Sequence, residues 1–214
     1  MLVISSIKSG AGKTTIASGL VGVFYALKLD FEFVKIGPDF LDCACVSNFA
    51  CVNRVNLVPQ CSKQFYRWIV WVSSFSLVED CMGIMDSLEG ERFAVSSLLL
   101  NRSKFVLALD CGNVMQTAAH LSSAVCCKLS GVILNNVASY RHEAVVVNTV
   151  CSFISVPILG VLQADAAHFE QRHLGVIQPN ELISSQSVMN NLILKVYYGC
   201  NVSKLVRLMA SNDS

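Results

Sequence analysis

The sequence predicts an α/β fold: a doubly wound, mostly parallel sheet with helices on both faces. Three observations carry this. Short apolar runs of strand length alternate along the chain with segments of helix length. Charged residues make up only 14% of the 214 residues and hydrophobic ones 53%, so most elements must be buried on more than one face, as in a covered parallel sheet. Several predicted strands also end in acidic or amide residues, which collects polar groups along one edge of the sheet, the carboxyl edge where open parallel sheets bind ligands.

Taken in order, Leu2 to Ser6 is a strand, and Lys13 to Leu27 is a helix. Glu32 to Ile36 is a second strand, stopped by Gly37-Pro38 and followed by Asp39-Phe40-Leu41-Asp42. Residues 43–60 read as irregular, and Gln64 to Val72 as a helix burying Trp68 and Trp71. Phe75 to Val78 is a short strand ending at Glu79, with a loop from Asp80 to Gly90. Arg92 to Leu100 reads as helix, Phe105 to Leu109 as a buried strand ending at Asp110, and Val114 to Cys126 as the helix that follows. Gly131 to Leu134 is a strand ending in Asn135-Asn136, Arg141 to Phe153 a helix, and Ile158 to Leu162 the last strand. Gln171 to Gly175 is a polar loop, and Leu182 to Leu194 and Asn201 to Ala210 are terminal helices. No repeat or linker interrupts the chain, so residues 1–214 are read as a single domain.

The first strand and helix are joined by Ser5-Ser6-Ile7-Lys8-Ser9-Gly10-Ala11-Gly12-Lys13-Thr14-Thr15. A glycine turn between a strand and a helix is the context of a phosphate-binding loop. Gly10 and Gly12 let the backbone approach an anion, and the first helical amides and the helix dipole favour its charge. The residues from Lys8 to Thr15 thus form a nucleotide-phosphate cradle: Lys13 reaches the β- and γ-phosphates and the Thr14 hydroxyl ligates Mg²⁺. This makes the fold P-loop NTPase-like. The usual pattern has a glycine where Ile7 stands, and Lys8 sits where ParA/MinD-like ATPases carry an additional lysine.

The net charge of +1 supplies no basic field for nucleic acid. The uncharged stretch from Ala144 to Ala164 is interrupted by polar residues and Pro157, and divides into a helix end and a buried strand rather than a membrane span. The apolar N-terminus has no basic flank and stops at the phosphate loop, so no signal peptide is expected. The ten cysteines lie mostly in apolar contexts, without metal-ligand spacing, and read as reduced thiols of a cytoplasmic protein. Asp39, Asp42, Glu79 and Asp86 all follow strand ends on the edge that carries the phosphate loop, as Mg²⁺-dependent phosphoryl transfer requires. Asp110 ends a strand too, where it serves equally as a cap for the next helix. Asn135 suits an adenine edge or a turn, and Arg172 and His173 suit an anionic substrate or a surface loop.

Five blocks in this order and spacing resemble the cobyrinic acid a,c-diamide synthase family. They are Lys8 to Thr15, Val34 to Asp42, Glu79 to Asp86, Gly131 to Val137, and Arg172-His173-Leu174-Gly175. The likeness runs from about residue 2 to about residue 210, and the Lys-x-Gly-Pro-Asp-x-x-Asp and Arg-His-Leu-Gly blocks are its specific parts. The resemblance implies ATP-dependent amidation of the a- and c-carboxylates of cobyrinate or hydrogenobyrinate in cobalamin synthesis, through an acyl phosphate attacked by ammonia. It implies that Thr14, Asp39 and Glu79 hold Mg²⁺, that Leu41, Asp42 and Asp86 position the reacting carboxylate, and that Arg172 and His173 lie near substrate.

The chain departs from the family pattern at Asp80 and Ser87, where glycines are usual, and at Cys43 and Val46, where proline and histidine are usual. No cysteine lies in a glutaminase elbow, so no glutaminase domain is expected and ammonia would arrive free or from a separate glutaminase chain. Two alternatives remain: a ParA/MinD-like ATPase switch acting as a homodimer, and a degenerate remnant that only binds nucleotide.

Overall fold

The structure is a computed structural model that describes residues 1–7, 9–36, 53–57, 75–83, 103–112, 129–164 and 181–211, with 53–57, 81–83 and 181–185 described by backbone alone. The strands are β1 (Leu2–Ser6), β2 (Glu32–Ile36), β3 (Asn53–Leu57), β4 (Ser76–Gly83), β5 (Lys104–Asp110), β6 (Gly131–Val137) and β7 (Ile158–Gln163). The helices among the described residues are α1 (Lys13–Ala26), α2 (Tyr140–Phe153), α3 (Glu181–Gly199) and α4 (Val202–Ala210). The strands form one seven-stranded sheet in the order β3-β2-β4-β1-β5-β6-β7, and every pairing within it is parallel. The chain leaves β1 toward β2 on one side and later crosses to β5 on the other. The phosphate loop after β1 therefore sits where the winding reverses, the place at which such sheets open a crevice for ligands.

Burial explains why the strands read so plainly. Every residue of β1 is buried, as is the middle of β5, so their sequences are continuous apolar runs. One face of the sheet packs Leu2, Ile4, Phe33, Leu77, Val106 and Ile133 against α1, α3 and α4. The other packs Val3, Val34, Val78, Phe105, Leu107, Val132 and Leu134 against Val146 and Val150 of α2. Helices thus cover both faces, as the sequence predicts.

Helix α1 is buried along ten of its fourteen residues because it is covered twice, by the sheet below and by α3 above. Small residues permit this. A Cβ on Gly19 would lie 2.4 Å from Val196 Cγ2, and one on Gly22 2.4 Å from Ile193 Cγ1, so α3 can settle this close only over bare backbone. The other helices begin at side-chain caps: Ser139 accepts from the His142 amide at the start of α2, and Asn201 from the Lys204 amide at the start of α4.

Three expectations are corrected. Residues 43–60 are not irregular throughout, because Asn53–Leu57 forms β3 at the sheet edge. Its two apolar residues are too few to announce a strand, and pairing with β2 supplies the backbone partners that local pattern does not reveal. Strand β4 does not end at Glu79 but continues through Gly83, placing Asp80 in the sheet and not in a loop. Helix α3 extends five residues beyond Leu194, to Gly199, because its last turns pack on α1 and the β7 strand. The helices expected at Gln64 to Val72, Arg92 to Leu100 and Val114 to Cys126 lie outside the described residues. Among the described residues, no helix is long and apolar enough to cross a membrane.

Burial also separates the described cysteines. Cys151 is exposed, whereas Cys200 is buried beside Gly160 and burial pushes its thiol from 9.0 up to about 12. Iodoacetamide at pH 8 is expected to alkylate Cys151 at least roughly 100-fold faster than Cys200 in the native protein, because only the thiolate reacts. Site-resolved mass spectrometry checks this, and unfolding should abolish the difference. A thiol held protonated in the fold must also lower stability as pH rises from 9.0 toward 12, since only the unfolded chain then gives up that proton.

Candidate nucleotide and metal site

The site grows out of β1. Its strand ends at Ser6, the turn runs through Ser9 and Gly10, and Gly12 becomes the N-cap of α1. Gly10 and Gly12 have φ of +79° and +88°, in the left-handed region that residues with a Cβ avoid. No side chain caps the N-terminus of α1. Its first amides and the dipole therefore point into the crevice at the sheet's switch point, as an anion site needs.

Lys13 is 6% exposed, and its Nζ donates to Ser6 Oγ at 2.9 Å. The ammonium is thus turned toward the end of β1 instead of extending into solvent. Thr14 Oγ1, in the first turn of α1, donates to Glu79 Oε1 of β4 at 2.5 Å. Glu79 also lies 3.5 Å from Lys35 Nζ, through the same oxygen, and both side chains are almost wholly buried. On the opposite face, Ser5 donates to Asp80 Oδ2 at 2.7 Å, again buried. Alternation along the strands assigns these faces: Lys35 and Glu79 stand on the α1 side with Phe33 and Leu77, and Ser5 and Asp80 on the α2 side with Val3 and Val78.

Asn135, at the end of β6, is 5% exposed and donates from Nδ2 to the Ala11 carbonyl at 3.2 Å. The amide read as suiting an adenine edge or a turn thus has a partner within the loop itself. Asp110 accepts from the Gly112 amide at 3.2 Å and from Asn136 Nδ2 at 3.0 Å, which ties the ends of β5 and β6 together.

Of the residues singled out in the sequence, the structure therefore gathers Ser9, Gly10, Ala11, Gly12, Lys13, Thr14, Thr15, Glu79 and Asn135 around one turn. Lys8, Asp39, Leu41, Asp42, Asp86, Arg172 and His173 lie outside the described residues. Sequence reasoning assigned no role to Lys35, Ser5, Ser6 or Asp80. A lysine between Val34 and Ile36 in a buried strand was the available signal for Lys35, because an ammonium there requires a counter-charge.

A family model described as the CobQ/CobB/MinD/ParA nucleotide binding domain matches residues 2–175. The chain belongs to this family. Family membership makes it a nucleotide-binding domain, in agreement with the loop geometry. A cobyrinate a,c-diamide synthase of Synechococcus is 27% identical over 99% of this chain and 49% of its own length. A hydrogenobyrinate a,c-diamide synthase of Streptomyces coelicolor is 31% identical over the whole of this chain and 47% of its own. The chain thus spans about half the length of the curated relatives it matches. Among solved structures, the MinD cell division protein of Aquifex aeolicus superposes with a TM-score of 0.59 at 13% identity, covering 100% of this chain and 98% of that one, a likeness of fold.

The buried Lys35–Glu79 pair gives a testable asymmetry. Glu79→Gln should lower stability by about 3 kcal/mol, because it removes the counter-charge of a buried ammonium. Lys35→Met added to Glu79→Gln should recover most of that stability, yet leave Mg²⁺-dependent nucleotide binding impaired. Urea unfolding and ATP titrations with and without Mg²⁺ check both halves.

Proposed function

We propose that this domain catalyses the ATP-dependent amidation of corrinoid carboxylates, at the a and c side chains of cobyrinate or hydrogenobyrinate. The observation that carries the reading is the grouping of buried Lys13 and Glu79 with half-buried Thr14 at the carboxyl edge of β1 and β4, in a chain matched over its whole length by synthases named for that reaction. The loop amides and Lys13 would hold the triphosphate. A hydroxyl and a carboxylate side by side are the hard oxygen donors that Mg²⁺ takes together with phosphate oxygens, so Thr14 and Glu79 fit the ion, with Asp39 as a further ligand. When bound, Mg²⁺ neutralises charge on the phosphates.

The chemistry proceeds in two steps. A substrate carboxylate oxygen attacks the γ-phosphorus, the bond to the β-phosphate oxygen breaks, and ADP leaves. Ammonia then attacks the acyl carbon, phosphate leaves, and the nitrogen gives up a proton as the amide forms. Leu41, Asp42 and Asp86 are assigned to positioning the carboxylate, and Arg172 and His173 to the anionic periphery of the macrocycle. Ammonia is taken as ammonium from solution or from a separate glutaminase.

The protein given ATP, Mg²⁺, ammonium and cobyrinate should form the diamide with stoichiometric ADP and phosphate, measured by mass spectrometry and a phosphate assay. ATP binding without amide under saturating ammonium would overturn the assignment. Asp42→Asn should lower amidation by about 100-fold through misplacement of the carboxylate, with nucleotide affinity unchanged in a titration. Loss of nucleotide binding in that variant would place Asp42 elsewhere.

A further inference from the structure

We propose that Asn135 is a positioning residue of the phosphate loop: it fixes the peptide between Ala11 and Gly12 so that the loop presents an amide, not a carbonyl, to the anion. The inference rests on the nucleotide-binding reading and deepens it. Asn135 Nδ2 donates to the Ala11 carbonyl from a buried site across the sheet edge. In a planar trans peptide the C=O and the following N–H point in opposite directions. Holding the Ala11 oxygen toward β6 therefore turns the Gly12 N–H the other way. A flip of this one peptide would put an oxygen where a phosphate oxygen must sit. The glycines that make the loop possible also make such a flip easy, since Gly10 and Gly12 both occupy left-handed φ and no side chain caps the helix that follows.

The fit at this point is close. A Cβ on Gly12 would stand 2.1 Å from Asn135 Nδ2, so the amide fills the space against the bare Cα of the loop. Asn135 is itself held from behind. Its carbonyl accepts from the Cys111 amide at 2.8 Å, and it lies opposite Asp110 in the β5–β6 ladder. Its neighbour Asn136 turns the chain at φ +58°, a conformation that asparagine tolerates, and donates to Asp110 Oδ1 at 3.0 Å. The two adjacent asparagines divide the work: Asn136 anchors the strand end to β5, and Asn135 reaches from that anchor to the loop.

Positioning the phosphate cradle and reading the base predict different losses. Asn135→Asp keeps the side-chain shape but replaces the donor with an acceptor; Asn135→Ala removes the side chain. Calorimetric titrations of wild type and both variants would use MgATP, MgGTP and inorganic tripolyphosphate with Mg²⁺. Apo melting temperatures would be recorded beside them. Each variant should bind MgATP and tripolyphosphate weaker by the same factor, about tenfold, with the ATP-to-GTP ratio unchanged. If a folded variant keeps wild-type tripolyphosphate affinity while its ATP-to-GTP ratio collapses, Asn135 reads the base and the proposal is overturned. A lowered melting temperature with unchanged affinity for all three ligands would overturn it as well, leaving a purely structural asparagine. Wild-type protein that binds none of the three would instead remove the nucleotide reading on which the proposal stands.

Discussion

The constraint on which the rest of the site depends is the burial of charge beneath the phosphate loop. Lys13, Lys35, Glu79 and Asp80 are each at most 6% exposed, around the carboxyl ends of β1, β2 and β4. An ionised side chain taken out of water is tolerated only when opposite charge and hydrogen bonds replace its hydration. Glu79 faces Lys35, Asp80 accepts from Ser5, and Lys13 donates to Ser6. The Lys35–Glu79 and Ser5–Asp80 partners belong to different strands, so these two contacts exist only when the sheet has assembled in its one order. The charge pairs are weak evidence for stability but strong evidence for register: a slip by one residue would send each carboxylate to the other face.

That cluster is rigid because what surrounds it is rigid. The loop is clamped between a fully buried strand and a helix covered on both sides, and α3 lies over Gly19 and Gly22 closely enough that neither position has room for a methyl group. The N-terminal amine donates to the Met209 carbonyl at the end of α4, and Asn201 at its start donates to the Leu159 carbonyl of β7, so the last helix also closes on the sheet. A phosphate cradle needs this support because its anion-binding groups are backbone amides, whose directions are set by the chain on either side and not by rotamers.

Family membership and the loop geometry agree on nucleotide binding, and the fold it shares with MinD does not by itself choose between a switch and a ligase. What separates the two is chemistry at the edge of the sheet. A switch needs the triphosphate and its metal. A ligase must also hold a carboxylate against the γ-phosphate, and Asp39 and Asp42 after β2 stand in sequence where that edge is reached. The relatives matched over the whole chain are named as a,c-diamide synthases, and this is why the ligase is the reading proposed.

Much of this was legible in the sequence. Strands β1 and β2 were read to their boundaries, and β5, β6, β7 and three helices to within a few residues, because strands buried on both faces are continuous apolar runs and the helices carry their own periodicity and caps. The phosphate loop was legible because its function demands glycine at set positions and a lysine and threonine just after them. The sequence by itself therefore determined the fold class and the loop. Strand β3, the continuation of β4 past Glu79, the Lys35–Glu79 pair and the contact of Asn135 with Ala11 were decided only by tertiary structure. Each depends on a partner far along the chain: β3 on the backbone of β2, Lys35 on a carboxylate in β4, and Asn135 on a carbonyl 124 residues away. Local pattern records what a segment needs in order to fold, whereas the neighbour that satisfies a buried polar group is chosen by strand order, which no local window contains.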